Sequence, residues 1–204
     1  MGSGTITTPG PTSAFAKKRQ VATTALLDAT GQLIAEKGVD GFTMSEVAQR
    51  ARINRALIYH YFQNRDNLVA QAIGYILDRY ESLQGPEVGV DAVERSTRVH
   101  IEHPEIARFF FQMLLTGRPL PGIAERMKQA IDWLQSLQAE PGPDTRFDAA
   151  FAMTMLMLMQ LSWAFSREEM ARLIGVTVEE ADERFIKQLR QMVGLGVQAL
   201  GASE

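Results

Sequence analysis

The chain is predicted to be all-α, with a small three-helix N-terminal unit followed by a larger helical body. Apolar residues recur at the 3.6-residue helical period in one segment after another. Pro104, Pro119, Pro121, Pro141 and Pro143 fall at the starts of these segments or between them, where proline is tolerated. Two T-x-x-E boxes, Thr43 to Glu46 and Thr177 to Glu180, mark helix starts. No stretch reads as a strand. Met153, Met155, Met157 and Met159 alternate, but within an apolar run of helix formers that lacks turn signals.

Residues 1–13 are rich in Gly, Ser, Thr and Pro and read as a disordered tail without an apolar segment of signal-peptide length. The first helix is expected over 13–37, with Leu26, Leu33 and Ile34 on its inner face and Gly38 ending it. Lys17, Lys18 and Arg19 at its start fit either an arm near a phosphate backbone or a solvated charged run.

Residues 43–62, TMSEVAQRARINRALIYHYF, read as two short helices joined by a tight turn. Thr43 caps the first, and Glu46 reaches back to complete the box. Val47 and Ala48 face inward, Gln49 and Arg50 outward. Asn54 caps the second helix, on which Ile58 and Phe62 lie four apart on the core face. Arg55, Ala56, Tyr59 and His60 lie on other faces and offer a cation, a close-approach position, an aromatic hydroxyl and a ring donor. Such a helix suits the DNA major groove.

Charge distribution agrees. Between Phe15 and Arg65 there are eight basic and four acidic residues, a local +4 in a chain of net charge −3, so the remainder carries −7. A basic head on an acidic body is the asymmetry of a nucleic-acid binder whose other unit serves another purpose. The chain has no cysteine, which excludes a disulfide framework and a thiolate metal site, and a cytoplasmic location is expected.

The run Ala51-Arg52-Ile53-Asn54-Arg55-Ala56-Leu57-Ile58-Tyr59-His60-Tyr61-Phe62, with the following Gln63-Asn64-Arg65-Asp66-Asn67-Leu68, resembles the TetR family of bacterial transcriptional repressors. That family shows a Thr-started helix, an Ala-Gly-Val turn, a Ser/Asn cap, a basic and a small residue, then Leu/Ile-Tyr-x-x-Phe. Arg52 stands where the family usually has Gly and is expected to adopt a left-handed conformation at a cost of about 1 kcal/mol. The resemblance covers the first third of the chain. It implies a helix-turn-helix DNA-binding domain over 14–64 and a helical effector-binding and dimerisation domain over 65–204, linked by a helix at 65–83. It assigns phosphate contacts to Thr43, Tyr61 and Arg65, and contacts to bases or nearby backbone to Arg55, Ala56, Tyr59 and His60. The implied partners are a double-stranded DNA operator, a small-molecule effector and a second copy of the chain, joined through the last two helices.

In the body, helices are expected at 89–102, 104–116, 120–139, 144–174 with a break near Ser166, and 178–200. The uncharged run Ala149 to Phe165 is at the short limit for a membrane span. It contains Thr154, Gln160 and Ser162, and a soluble dimer core is the favoured reading, with no membrane. Gly194 and Gly196 would let helices approach closely. Phe109, Phe110, Met113, Trp133, Met155, Met159 and Trp163 are candidates to line a mostly apolar effector pocket, although each alone suits ordinary core. His100 and His103 lie three apart and read as a surface or pocket-edge pair just before a proline break; no third ligand accompanies them, and no metal or cofactor is expected. No Gly-rich phosphate loop, H-E-x-x-H, G-x-S-x-G or cysteine nucleophile is present, so a non-enzymatic function is expected. The alternatives are a ligand-binding or catalytic helical protein that keeps the head as scaffold, and an activator.

Overall fold

The computed structural model describes residues 11–137 and 148–199. Among these, nine helices follow one another: α1 Pro11–Lys37, α2 Met44–Ala51, α3 Arg55–Phe62, α4 Arg65–Gln84, α5 Val90–Glu102, α6 Pro104–Leu115, α7 Pro121–Ser136, α8 Ala149–Ile174 and α9 Val178–Ala199. They fall into two compact units, one up to Tyr75 and one from Ile76 onward, so α4 begins in the first and ends in the second.

In the first unit α1 packs on α2 and α2 on α3. Leu26, Leu33, Ile34, Val47, Ile58 and Phe62 are buried together with Leu68 and Ala72 from the start of α4. Two ion pairs tie α1 to α2. Glu36 receives both Arg50 Nη atoms, at 2.6 and 2.7 Å, and Lys37 meets Glu46. The bidentate geometry favours the Arg50 pair, but both are exposed and contribute modestly.

The turn between α2 and α3 is fixed by its own backbone. Ile53 N–H donates to Ala48 O at 3.0 Å and Arg52 N–H to Gln49 O at 3.2 Å, with Arg52 left-handed at φ 56°, ψ 40°. This is the helix-ending arrangement normally given to glycine. Arg52→Gly is therefore expected to stabilise the protein by about 0.5–1 kcal/mol, the released strain less the extra freedom of the unfolded chain. A urea-unfolding midpoint checks this. A second left-handed residue, Gln63 at φ 65°, ψ −54°, turns the chain from α3 into α4, with Asn64 N–H reaching Phe62 O at 2.7 Å. Asn67 holds this tight turn by donating to Phe62 O at 2.9 Å, while Asn64 Oδ1 caps α4 by accepting from Asn67 N–H at 2.8 Å.

In the second unit α5 packs on α8 and α9, and α8 also contacts α6, α7 and α9. A buried network joins α5 to α8: Gln160 Nε2 donates to Val93 O at 3.0 Å and to Thr97 Oγ1 at 2.9 Å. Arg98 with Glu183, and Arg190 with Asp91 and Glu94, add ion pairs between α5 and α9 at 2.8–2.9 Å.

Several expected boundaries move. α1 begins at Pro11, so residues 11–13 belong to the helix and not to a tail; residues 1–10 lie outside the described residues. The expected helix ends at 138–139, 144–147 and 200 also lie outside them. The break near Ser166 does not occur. α8 runs unbroken because the Ser166 hydroxyl donates to Ser162 O at 3.0 Å and so finds its partner within the helix.

Candidate DNA interface and ligand cavity

The N-terminal unit presents one face of α3 to solvent. Thr43 begins α2 with both halves of its capping box formed: Glu46 N–H donates to Thr43 Oγ1 at 3.2 Å and Thr43 N–H to Glu46 Oε2 at 2.7 Å. The Lys37 ammonium, and after it the Thr43 backbone, hold the Glu46 carboxyl at about 2. Asn54 Oδ1 accepts from Ala56 N–H at 2.9 Å and sets the start of α3. Ile58 and Phe62 then anchor the inner face at 0% and 1% exposure. The opposite face exposes Arg55, Ala56, Tyr59 and His60.

These outward groups are pre-arranged. The Arg55 guanidinium lies 5.6 Å from the Tyr59 ring centroid, donates to Tyr59 Oη at 3.2 Å, and reaches Ser45 Oγ at 3.3 Å. A cation held by weak, exposed neutral partners keeps its charge available. Tyr61 is half-buried, with Arg19 of α1 lying 5.7 Å from its ring centroid. Lys17, Lys18 and Arg19 are thus helical residues, exposed on α1, and do not form an extended arm. Arg65 donates to Val39 O, lies 4.8 Å from the Phe42 ring centroid and sits 3.8 Å from Asp40. This network within the unit was not legible from its position at a helix start.

The C-terminal unit contains two adjoining apolar cavities of about 110 and 260 Å³. Tyr80, Ile123, Met127 and Met157 form walls of both. The smaller one also meets Gln84, Ser96, Gln160 and Trp133; the larger meets His100 and Phe110. Tyr80 Oη lies 3.3 Å from Ser96 Oγ, and burial raises its phenol above the usual value, so it is protonated at neutral pH. His100 is 3% exposed and its ring stacks on Tyr80 at 5.5 Å and 18°. Desolvation lowers its imidazole from 6.5 to about 4. Neither ring nitrogen of His100, nor Gln84 Nε2, has a hydrogen-bond partner in the protein.

The expected pocket residues divide. Phe110 and Trp133 line these two cavities. Met155 and Met159 border a third apolar hollow, between α7, α8 and α9. Phe109 and Met113 are core, at 1% and 0% exposure, and border none of the three. Trp163 also borders none: it stacks on Phe185 at 4.2 Å and donates to Asp182 at 2.8 Å, while Arg167 pairs with the same carboxylate. Of the three adjacent Phe residues, Phe111 is the outward one, 5.3 Å from the Phe165 ring centroid. Tyr80 and Gln84 were missed as cavity residues, Tyr80 being legible only as core. His100, legible as half of a surface or pocket-edge pair, lies in the cavity wall.

An apolar stripe remains on the outer face of α8: Phe151, Met155, Leu158 and Phe165 are 38–64% exposed. α9 adds Met192 and Leu195, and a Cβ at Gly194 or Gly196 would meet no atom within 4 Å. Met157 is not on this stripe but in the cavity wall. By length and composition α8 could cross a membrane, yet its inner face carries the Gln160 network that ties it to α5.

A capped two-helix unit with an exposed, cation-bearing second helix, attached to a separate helical body, defines a helix-turn-helix DNA-binding regulator. Residues 26–72 match the model of the bacterial regulatory proteins of the tetR family. The HTH-type transcriptional repressor Rv3405c of Mycobacterium tuberculosis is 23% identical over 165 residues, 81% of this chain and 84% of that protein. A TetR family transcription regulator from Marinobacter aquaeolei superposes with a TM-score of 0.57 at 17% identity, over 84% of this chain and 97% of that one. AibR, solved with isovaleryl coenzyme A and operator DNA, gives a TM-score of 0.57 at 19% identity, over 82% and 97%. Over residues 26–72 in sequence, and in its helical fold, the chain is similar to the TetR family of helix-turn-helix transcriptional regulators.

Proposed function

We propose that the protein is a homodimeric cytoplasmic repressor, released from a near-palindromic operator by a small, mostly apolar effector. The observation that carries this is α3, whose buried Ile58 and Phe62 fix a helix that turns Arg55, Ala56, Tyr59 and His60 to solvent. In the proposed complex the α3 helices of two protomers enter successive major grooves about 34–36 Å apart. Arg55, Ala56, Tyr59 and His60 meet bases or adjacent backbone, and Thr43, Tyr61 and Arg65 meet phosphates. Phosphate contacts give affinity and register, while base edges give sequence preference. The head is taken as residues 14–64 and the body as 65–204, the body pairing with its copy through the outer faces of α8 and α9. The apolar stripe supports that pairing, because a continuous apolar face on a soluble chain calls for a partner.

The effector reading is supported by the adjoining cavities, with Phe110 and Trp133 as lining. Towards the end of the helix that starts at Arg65, Tyr80 borders both and Gln84 the smaller one. An effector that binds better when this end of α4 has moved shifts the two heads away from a one-turn spacing. A coupling of about 1–3 kcal/mol suffices for such regulation. Rv3405c, a repressor, and AibR, solved with both operator DNA and isovaleryl coenzyme A, favour the same reading.

Arg55→Ala is expected to weaken operator binding by about 1–3 kcal/mol and to leave folding intact. Fluorescence anisotropy with a labelled operator checks this, and unchanged affinity would remove Arg55 from the interface.

A further inference from the structure

His100 is buried, aromatic in its surroundings, and unpaired. Tyr80 covers one face of the ring, and Phe110 stands edge-on to both rings, at 4.8 Å from Tyr80 and 6.2 Å from His100. A residue needed only for shape here could be Phe or Leu. An imidazole instead leaves a donor and an acceptor buried without partners, each carrying the cost of its lost hydration. The ring borders the cavity of about 260 Å³, whose other walls include Leu114, Ile123, Met127, Met157 and Leu161. Water requires about two to four polar partners to settle in such a space. Apart from His100, the lining offers the Tyr80 hydroxyl, which already meets Ser96, and the exposed Arg118.

Size narrows the occupant. A cavity of about 150 Å³ holds benzene, so about 260 Å³ takes one substituted ring or a compact branched chain. Charge narrows it further. The desolvated imidazole is neutral at pH 7 and offers one N–H and one lone pair, not a cation. A hydroxyl satisfies either ring nitrogen, by accepting from the N–H or donating to the bare nitrogen, and unlike an amide it brings few further polar atoms into the apolar lining. A carboxylate at the ring would gain nothing from the neutral imidazole and would depend for a countercharge on Arg118, the one cation of the lining, which is exposed to solvent.

Given the reading of the body as effector-binding, we infer that the cavity at His100 takes a compact, single-ring-sized apolar molecule bearing an uncharged hydroxyl, a phenol or alcohol, hydrogen-bonded to the His100 ring. The Tyr80 and Phe110 rings pack against the frame, and His100 selects the hydroxyl. His100 is thus the specificity-determining residue of the cavity.

The test uses the full chain labelled with nitrogen-15 at its three histidines. The probes are 4-propylphenol, propylbenzene and 3-phenylpropanoate, with binding measured by calorimetry at pH 7. The phenol is expected to bind at least tenfold more tightly than propylbenzene, and the carboxylate most weakly. Phenol binding should shift the ring-nitrogen resonances of one histidine, absent from the His100→Phe spectrum, and that substitution should bring phenol and propylbenzene within twofold. Equal affinities in the parent protein, a preference for the carboxylate, no binding of any probe, or a shift at His60 or His103 alone would overturn the inference. If His100→Phe does not fold, the affinity ranking and a His100→Gln spectrum decide it. Operator affinity is measured separately with each probe. Phenol selected through His100 without any effect on the operator would sustain this site and remove the effector reading. Operator release by other compounds, with no phenol binding, would do the reverse.

Discussion

Leu158→Glu is expected to convert the protein to monomers and to lower operator affinity at least a hundredfold, with the single chain still folded. Leu158 is 44% exposed at the middle of the α8 stripe and makes no cavity wall. In an isolated chain a glutamate there stays in water. In the proposed dimer it would be buried opposite apolar groups, at a cost of several kcal/mol, roughly the scale of an unpaired buried charge. Loss of the second head then removes half the contacts to an operator read by two. Sedimentation velocity and an operator titration, run on the same sample, check both outcomes. A dimer of unchanged operator affinity would place the interface elsewhere. The same substitution at Met157 would be uninformative, since Met157 lines the cavities and its change would damage the body itself.

Acid is expected to destabilise the body through His100. The imidazole titrates near 6.5 in an unfolded chain and at about 4 when folded. Between those values the unfolded state binds the extra proton, so stability is complete above pH 6.5 and declines as the pH falls towards 4. The full loss is about 3 kcal/mol, and about 2 kcal/mol of it is reached by pH 5. His100→Phe should abolish this part of the pH dependence while keeping the stack on Tyr80. Both tryptophans, Trp133 and Trp163, lie in the body, so urea unfolding followed by their fluorescence at pH 7 and pH 5 reports on the relevant unit. An equal loss of stability in the parent protein and in the variant would show that His100 is not the titrating group.

The parts of the molecule that were legible are those fixed by local chemistry. Thr43, Glu46 and Asn54 cap helices because their side chains reach backbone N–H groups two or three residues away, and Arg52 must be left-handed because the chain reverses there. Ile58 and Phe62 announced the inner face of α3 by spacing alone. What failed lay where the partner comes from a distant segment. α8 is apolar nearly all round, so periodicity could not say which side faces the chain; Met157 proved to be cavity and Leu158 surface. Ser166 was a local exception: a break was expected there, but its hydroxyl is satisfied by the preceding turn of the same helix. His100 looked like one half of a pair with His103 until Tyr80 of α4 and Phe110 of α6 enclosed it. Arg65 was legible as a cation at a helix start, but the Val39 carbonyl that engages it was not.

The central claim, a dimer that reads a paired operator, is tested most directly by selection from genomic DNA of the source organism. Purified full-length protein would be incubated with the fragments at two salt concentrations and the retained DNA sequenced. Enrichment of an inverted repeat with half-sites about one helical turn apart is expected, with retention that falls steeply with salt. Enrichment of single, unpaired half-sites would contradict the dimeric account, and retention without any sequence preference would contradict a recognition role for α3.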